Sequence, residues 1–188
     1  MSMNSIVRGV LAMGQSWFTK LFRRPSEDAL EKLLTDAESG DARAQFDAGL
    51  SFSNGCGKAP DYEQAAAWYL KAANQGHARA QYVLGVMFAD GRGVPQDDAK
   101  ALTWIGKAAE RGYPEAQHTL GLWCRRASFK DSPVGALEST LEAYKWFRLA
   151  SAQGCKGSEA QFECLAVRMT QQQVIEGNRR VAIFPAAA

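Results

Sequence analysis

The sequence predicts an all-α fold, a right-handed α/α superhelix (solenoid) made of stacked helix pairs. Three observations carry that expectation. Gly40, Gly76 and Gly112 stand 36 residues apart, and Gly49, Gly85 and Gly121 keep the same step. Ala44, Ala80 and Ala116, each followed by a glutamine (Gln45, Gln81, Gln117), repeat in register with them. Trp68 and Trp104 share the step as well. Self-similarity at a fixed interval of this size marks one supersecondary unit stacked several times.

The inside of a unit follows from its spacing. Ala80, Val83, Leu84, Met87 and Phe88 recur at intervals of three and four, the period of a helix with one buried stripe. The run GRGVPQDD then stops that helix. Gly91 and Gly93 permit the left-handed backbone of a C-cap and tight turn, Pro95 cannot continue the helix, and Asp97 suits the N-cap of the next one. Ala101, Leu102, Trp104, Ile105, Ala108 and Ala109 form the inner side of the second helix, which Gly112 closes. One unit is therefore helix, Gly-rich turn, helix, Gly.

Small side chains recur where helices must approach closely. Alanines at 44, 80 and 116, at 65, 101 and 143, and at 72, 108 and 150 suit interaxial distances near the lower limit of about 8 Å. The tryptophans opposite them are expected to fill the space between one helix pair and the next, as inter-repeat core and not as a cofactor box.

These residues resemble a known repeat. Gly40-Asp41-Ala42-Arg43-Ala44-Gln45 with Trp68-Tyr69-Leu70-Lys71-Ala72-Ala73, and Gly91-Arg92-Gly93-Val94 with Trp104-Ile105-Gly106-Lys107-Ala108-Ala109, are similar to the Sel-1-like repeat, a relative of the tetratricopeptide repeat (TPR). A third copy has 112–117 and Trp146-Phe147-Arg148-Leu149-Ala150-Ser151. The resemblance covers about 26–182. It implies an all-α, curved scaffold that binds other proteins as an adaptor, with catalysis not the general rule.

Composition agrees with a binding module. The 188 residues carry 22 basic and 20 acidic side chains, so the field of the whole molecule is weak. No Lys/Arg-rich stripe or RNA-binding aromatic motif is visible, and no nucleic-acid partner is expected.

Taken in order, residues 1–25 stand apart from the repeats. Ile6, Val10, Met13, Trp17 and Leu21 form one helical stripe, with Val7, Leu11, Phe18 and Phe22 beside it. The charged groups are Arg8, Lys20, Arg23 and Arg24, a net charge of +4. Three readings stand: a cap or self-association face on the first repeat, a helix lying on an anionic membrane surface through residues 1–24, or a targeting peptide. Arg8 interrupts the apolar run and no small-x-small site precedes Arg23-Arg24-Pro25, which counts against a signal peptide. A spanning helix would need about 20 apolar residues in succession.

Ser26 is expected to cap a helix with Glu27 and Asp28 in its first turn. That helix is the second half of a repeat, 26–39, with Lys32 where the tryptophan would stand. Repeats follow at 40–75, 76–111 and 112–153. In the first, Cys56 sits between the turn glycines. In the third the GxG turn is gone, and six residues are inserted within 127–142. A degenerate repeat and C-terminal cap occupy 154–182, the cap opening on Thr170-Gln171-Gln172-Gln173, a capping box. Residues 183–188 form a tail.

Catalytic constellations are sparse. His77 and His118 read as structural, because no cysteine or carboxylate lies at ligand spacing. No metal and no cofactor is expected. Certain relatives have an attributed penicillin-binding activity, but this chain has no serine followed by lysine three positions on and no K-T-G. Gly91-Arg92-Gly93 lacks the preceding strand and following Lys-Ser/Thr of a phosphate loop.

Some exported members of the resembling family carry paired cysteines seven residues apart, and Cys56, Cys124, Cys155 and Cys164 lack that spacing. Free thiols and a cytoplasmic location are the expectation, with a membrane-associated or exported location as the alternative.

The first helices of such pairs line the concave side. Positions three, seven and eleven after each repeat glycine select Arg43, Asp47 and Ser51, then Arg79, Val83 and Met87, then Glu115, Thr119 and Trp123. Val83, Met87 and Trp123, with Thr119 on the same stripe and Arg79 and Arg126 at the rim, form the candidate partner-binding surface, since aromatic, Met and Arg side chains are the usual make-up of a hot spot. The alternative for Trp123 is that it folds under the 127–142 insertion as core. The expected function is a non-catalytic protein–protein adaptor holding a peptide or helix in the groove. A membrane-peripheral scaffold and an inhibitor or immunity partner are the alternatives, with a hydrolase third. Glutamate at Met87 or Trp123 is expected to abolish capture without changing the melting temperature.

Overall fold

The computed structural model describes residues 27–55, 59–128 and 133–185. The 1–25 segment with its three readings, Ser26, Cys56 and residues 186–188 lie outside the described residues. All the regular structure within them is helical: α1 Glu27–Glu38, α2 Ala42–Asn54, α3 Tyr62–Asn74, α4 Ala78–Asp90, α5 Asp98–Glu110, α6 Pro114–Ala127, α7 Pro133–Ala152, α8 Ser158–Ala166 and α9 Gln171–Ala182. This is an all-α repeat fold. The chain forms two compact units, one running through Lys107 and one from Ala108.

The helix boundaries have identifiable causes. Asp41 accepts from the Ala44 N–H at 2.6 Å, Asp61 from Gln64 N–H at 2.9 Å, and Asp97 from Lys100 N–H at 2.9 Å, each satisfying a backbone donor of a first turn. His77 takes the same role for α4, its Nδ1 accepting from Ala80 N–H at 3.1 Å. Thr170 and Gln173 form the capping box at the start of α9. Gly55 and Gly91 end α2 and α4 in the left-handed conformation.

In the first unit, α1 packs on α2, α2 on α3, and α3 on α4. Its main core gathers Phe46, Leu50, Ala65, Tyr69, Leu84 and Met87, with Trp104 and Val94 packed against them. Trp68 joins Ala37, Ala44 and Ala48 in a second cluster, between the half repeat and the first full one. The repeated alanines are buried throughout. The repeated glycines admit large side chains of the paired helix: a Cβ at Gly49 would lie 2.8 Å from Tyr69 Cδ1, and one at Gly121, in the second unit, 2.7 Å from Phe147 Cδ1.

The repeated glutamines have a shared backbone role. Gln45, Gln81 and Gln117 donate from Nε2 to the carbonyls of Ala37, Ala73 and Ala109, eight residues earlier. This side-chain bond ties each first helix to the end of the preceding second helix.

In the second unit α7 packs against α6, α8 and α9. The insertion extends the second helix of the third repeat: α7 has 20 residues where α3 has 13. That extra length presents Glu138 to the last helix, where Arg180 Nη1 donates to Glu138 Oε1 at 2.6 Å and to Glu142 Oε1 at 3.1 Å, and Arg180 Nε to Glu176 Oε1 at 3.0 Å. Gly177 lets α9 come down on the Tyr144 ring, where a Cβ would lie 2.6 Å from Cδ1.

Candidate functional site

The two units present the candidate residues separately. In the first unit, Arg43 is exposed, and Asp47, Arg79 and Val83 are half-buried on α2 and α4. The Arg79 guanidinium stands over the Phe46 ring at 5.0 Å, and the His77 ring stacks on Phe46 at 4.9 Å. Burial raises the Asp47 carboxyl above its usual pKa against the pull of Arg43, His77 and Arg79. Burial also lowers the His77 imidazole, Asp47 opposing it and Arg79 adding to it. Val83 lies against the main core.

Met87 does not belong to this surface. It is 5% exposed and packs among Phe46, Leu50, Tyr69 and Leu84. Each step of four residues turns a helix by 400°, so positions three, seven and eleven drift by about 40° per step; in the first two repeats the eleventh lies on the core face, whereas in the third the seventh, Thr119, is buried and the eleventh, Trp123, is exposed. Ser51, at the same register, is buried too. The following turn completes the burial in the second repeat, since Val94 of the GRGV stretch packs on the same core.

In the second unit Thr119 is 3% exposed, and its hydroxyl donates to the Glu115 carbonyl at 2.8 Å, so it is not a contact residue either. Trp123 is 37% exposed and Arg126 half-buried. The third repeat has no left-handed glycine after this helix: Ser128 closes α6 in the right-handed region. The core reading of Trp123 does not describe its placement.

The polar groups that sequence reasoning passed over lie around His118. It is buried, at the register of Phe46 and Tyr82, and its Nδ1 is 2.7 Å from the Oγ of Ser158, which is 0% exposed. Burial, and next the Arg125 charge, lower its pKa. Glu115 Oε2 is buried without a hydrogen-bond partner among the described residues. A histidine at an aromatic position was the one visible signal, and nothing local pointed to Ser158 as its partner.

The described residues hold no group of three His, Cys, Asp or Glu placed to bind a metal ion. An open depression of about 510 Å³ lies against Asp61, Tyr62 and Gly93, but Asp61 is committed to capping α3. Cys124, Cys155 and Cys164 are free thiols. No described helix is long and apolar enough to cross a membrane.

A Sel1 repeat family model matches residues 42–77, 78–113 and 114–155, three successive copies. The chain is similar to the crystal structure of a protective antigen present in uropathogenic Escherichia coli strains that displays an SLR fold. That match has 26% identity and a TM-score of 0.70, over 89% of this chain and 35% of that one. The chain thus spans about a third of the antigen's length. It is also similar to the crystal structure of a Sel1 repeat protein from Oxalobacter formigenes, with 32% identity and a TM-score of 0.59, over 71% of this chain and 96% of that one. No curated protein matches the sequence.

Proposed function

The chain belongs to the Sel1 repeat family, and on that premise we propose that it is a non-catalytic adaptor whose third repeat anchors a partner protein through Trp123. Proteins of this family are generally protein-interaction scaffolds. The observation that carries the reading is the exposure of Trp123 on a first helix, at a register where the second repeat buries Met87. A large ring left in water on a rigid helix offers a partner apolar area at small entropic cost. Arg126, three residues on, adds a polar rim.

Arg79 and Val83 supply a second contact zone in the first unit, where Asp47 and His77 set the local polarity. Residence in the cytoplasm belongs to the same proposal and is supported by the unbridged thiols.

The experiment is a crosslinking capture from host lysate with wild type, Trp123→Glu, Arg79→Glu and a deletion of residues 1–24. Loss of one protein with Trp123→Glu, at unchanged helix content and melting temperature, supports the adaptor reading and identifies the partner. Full capture by Trp123→Glu, with loss only in the 1–24 deletion, overturns it in favour of attachment through the N-terminal segment.

A further inference from the structure

His118 occupies a place that the other repeats give to an aromatic ring, and it changes what that place can do. Its Nδ1 meets Ser158 Oγ at 2.7 Å, and both side chains are buried. Ser158 is the first residue of α8, held by Gly157 at φ +82°, where any side chain would be strained. The His118 ring also lies edge-on to Phe147 of α7 at 5.5 Å. A second bond joins the same two helices, from Arg125 Nη1 to Gln161 Oε1 at 2.6 Å. The start of the last helix pair is thus tied to the third repeat by two polar contacts, and one of them is titratable.

We propose that the His118–Ser158 contact is an acid-sensitive latch, which holds the 153–158 turn and the start of α8 against α6 at neutral pH and loosens on acidification. The surroundings of the imidazole carry the argument. Arg125 and Glu115 share its helix, Cys155 lies on the turn and bonds to Ser158, α7 offers Phe147, and α8 offers Ser158. Among the described residues, the charge that bears on His118 is the positive one of Arg125, while that of Glu115 bears on Cys155. A proton on the imidazole is therefore placed in a buried site beside a cation.

The sign follows. The ring binds a proton less readily in the closed junction than in an open one, in accord with its lowered pKa. The stabilisation is complete above the ordinary histidine pKa of about 6.5 and is lost as pH falls below it. Both helices keep their other packing, with Leu165 and Phe162 against Tyr144 and Phe147, so opening is local.

The test is hydrogen exchange of the full chain, read by peptide between pH 7.5 and 5 and corrected for intrinsic rates, together with an NMR titration of the His118 ring. Wild type should show a several-fold rise in exchange over 153–166 below pH 6.5, with 42–54 unchanged. His118→Gln keeps a hydrogen-bonding group without a titration and should be flat. Should that variant fold poorly, Arg125→Gln serves instead, and its acid transition should move upward towards the ordinary histidine range. An equal acid response in His118→Gln, a response spread evenly over the chain, or a His118 ring titrating above the ordinary histidine value overturns the proposal.

Discussion

Gln75 Nε2 donates to Gln45 Oε1 at 2.8 Å, while Gln45 donates its own Nε2 to the carbonyl of Ala37. Gln45 is thus satisfied at both ends, and Gln117 in the second unit is served likewise by Gln153 at 2.9 Å. Gln81, the middle member of the series, donates to Ala73 but has a buried Oε1 without a partner among the described residues. An orphaned buried acceptor forfeits part of what the residue contributes, about 1–3 kcal/mol. Gln45→Leu should therefore destabilise the protein by more than Gln81→Leu, with a gap of about 1 kcal/mol in urea unfolding. Equal effects would show that the Gln75 bond contributes nothing.

Phe147 is fully buried, and its ring occupies the space a side chain at Gly121 would need. Gly121→Ala should cost roughly 1–3 kcal/mol by overpacking, and Phe147→Leu in the same chain should return part of it. A Gly121→Ala variant as stable as wild type would mean that α6 and α7 can separate without penalty.

Met87→Glu and Trp123→Glu should behave oppositely. The first places an unpaired carboxylate among Phe46, Tyr69 and Leu84 and should cost several kcal/mol, about 3–5 by analogy with other buried uncompensated charges. The second alters a ring already 37% exposed and should change the melting temperature little. Thermal unfolding followed by circular dichroism distinguishes them.

Arg180 binds Glu138, Glu142 and Glu176, and its hydrogen bonds hold Glu138 below the usual carboxylate pKa. Carboxylates with lowered folded-state values stabilise above their unfolded pKa, about 4.3, and that contribution fades as pH falls through the folded value. Arg180→Ala should cost about 1 kcal/mol near pH 7, since the network is partly solvated. The gap to wild type should start to shrink below about pH 4.3 and close only towards pH 2, since the hydrogen bonds of Arg179 and Arg180 hold Glu176 down to about 2, and high salt should narrow it. Denaturant unfolding at pH 7 and near pH 2, each at low and high salt, measures both.

Much of the fold was legible because its signals are local or periodic. The glycine step, the three- and four-residue apolar spacing, the cap at Asp97 and the capping box at Thr170 each depend on a few neighbouring residues. A repeat also multiplies its evidence, so Ala44, Ala80 and Ala116 confirm one another. The register of the groove was less legible, because counting by four ignores the 40° drift that carries Met87 and Ser51 inward while leaving Arg79 and Val83 at the edge.

The sequence by itself determined the helix pairs, their length and the small residues at their contacts, since helix period, capping and close approach are properties of residue type and spacing. Tertiary structure alone decided that Met87 is core and Trp123 is not, and that the insertion lengthens α7 and delivers Glu138 to Arg180. It also decided that Ser158 closes on His118, forty positions away. Each of these depends on which groups other segments bring to a point in space, and a side chain's burial and hydrogen-bond partner follow from that meeting, not from its neighbours along the chain.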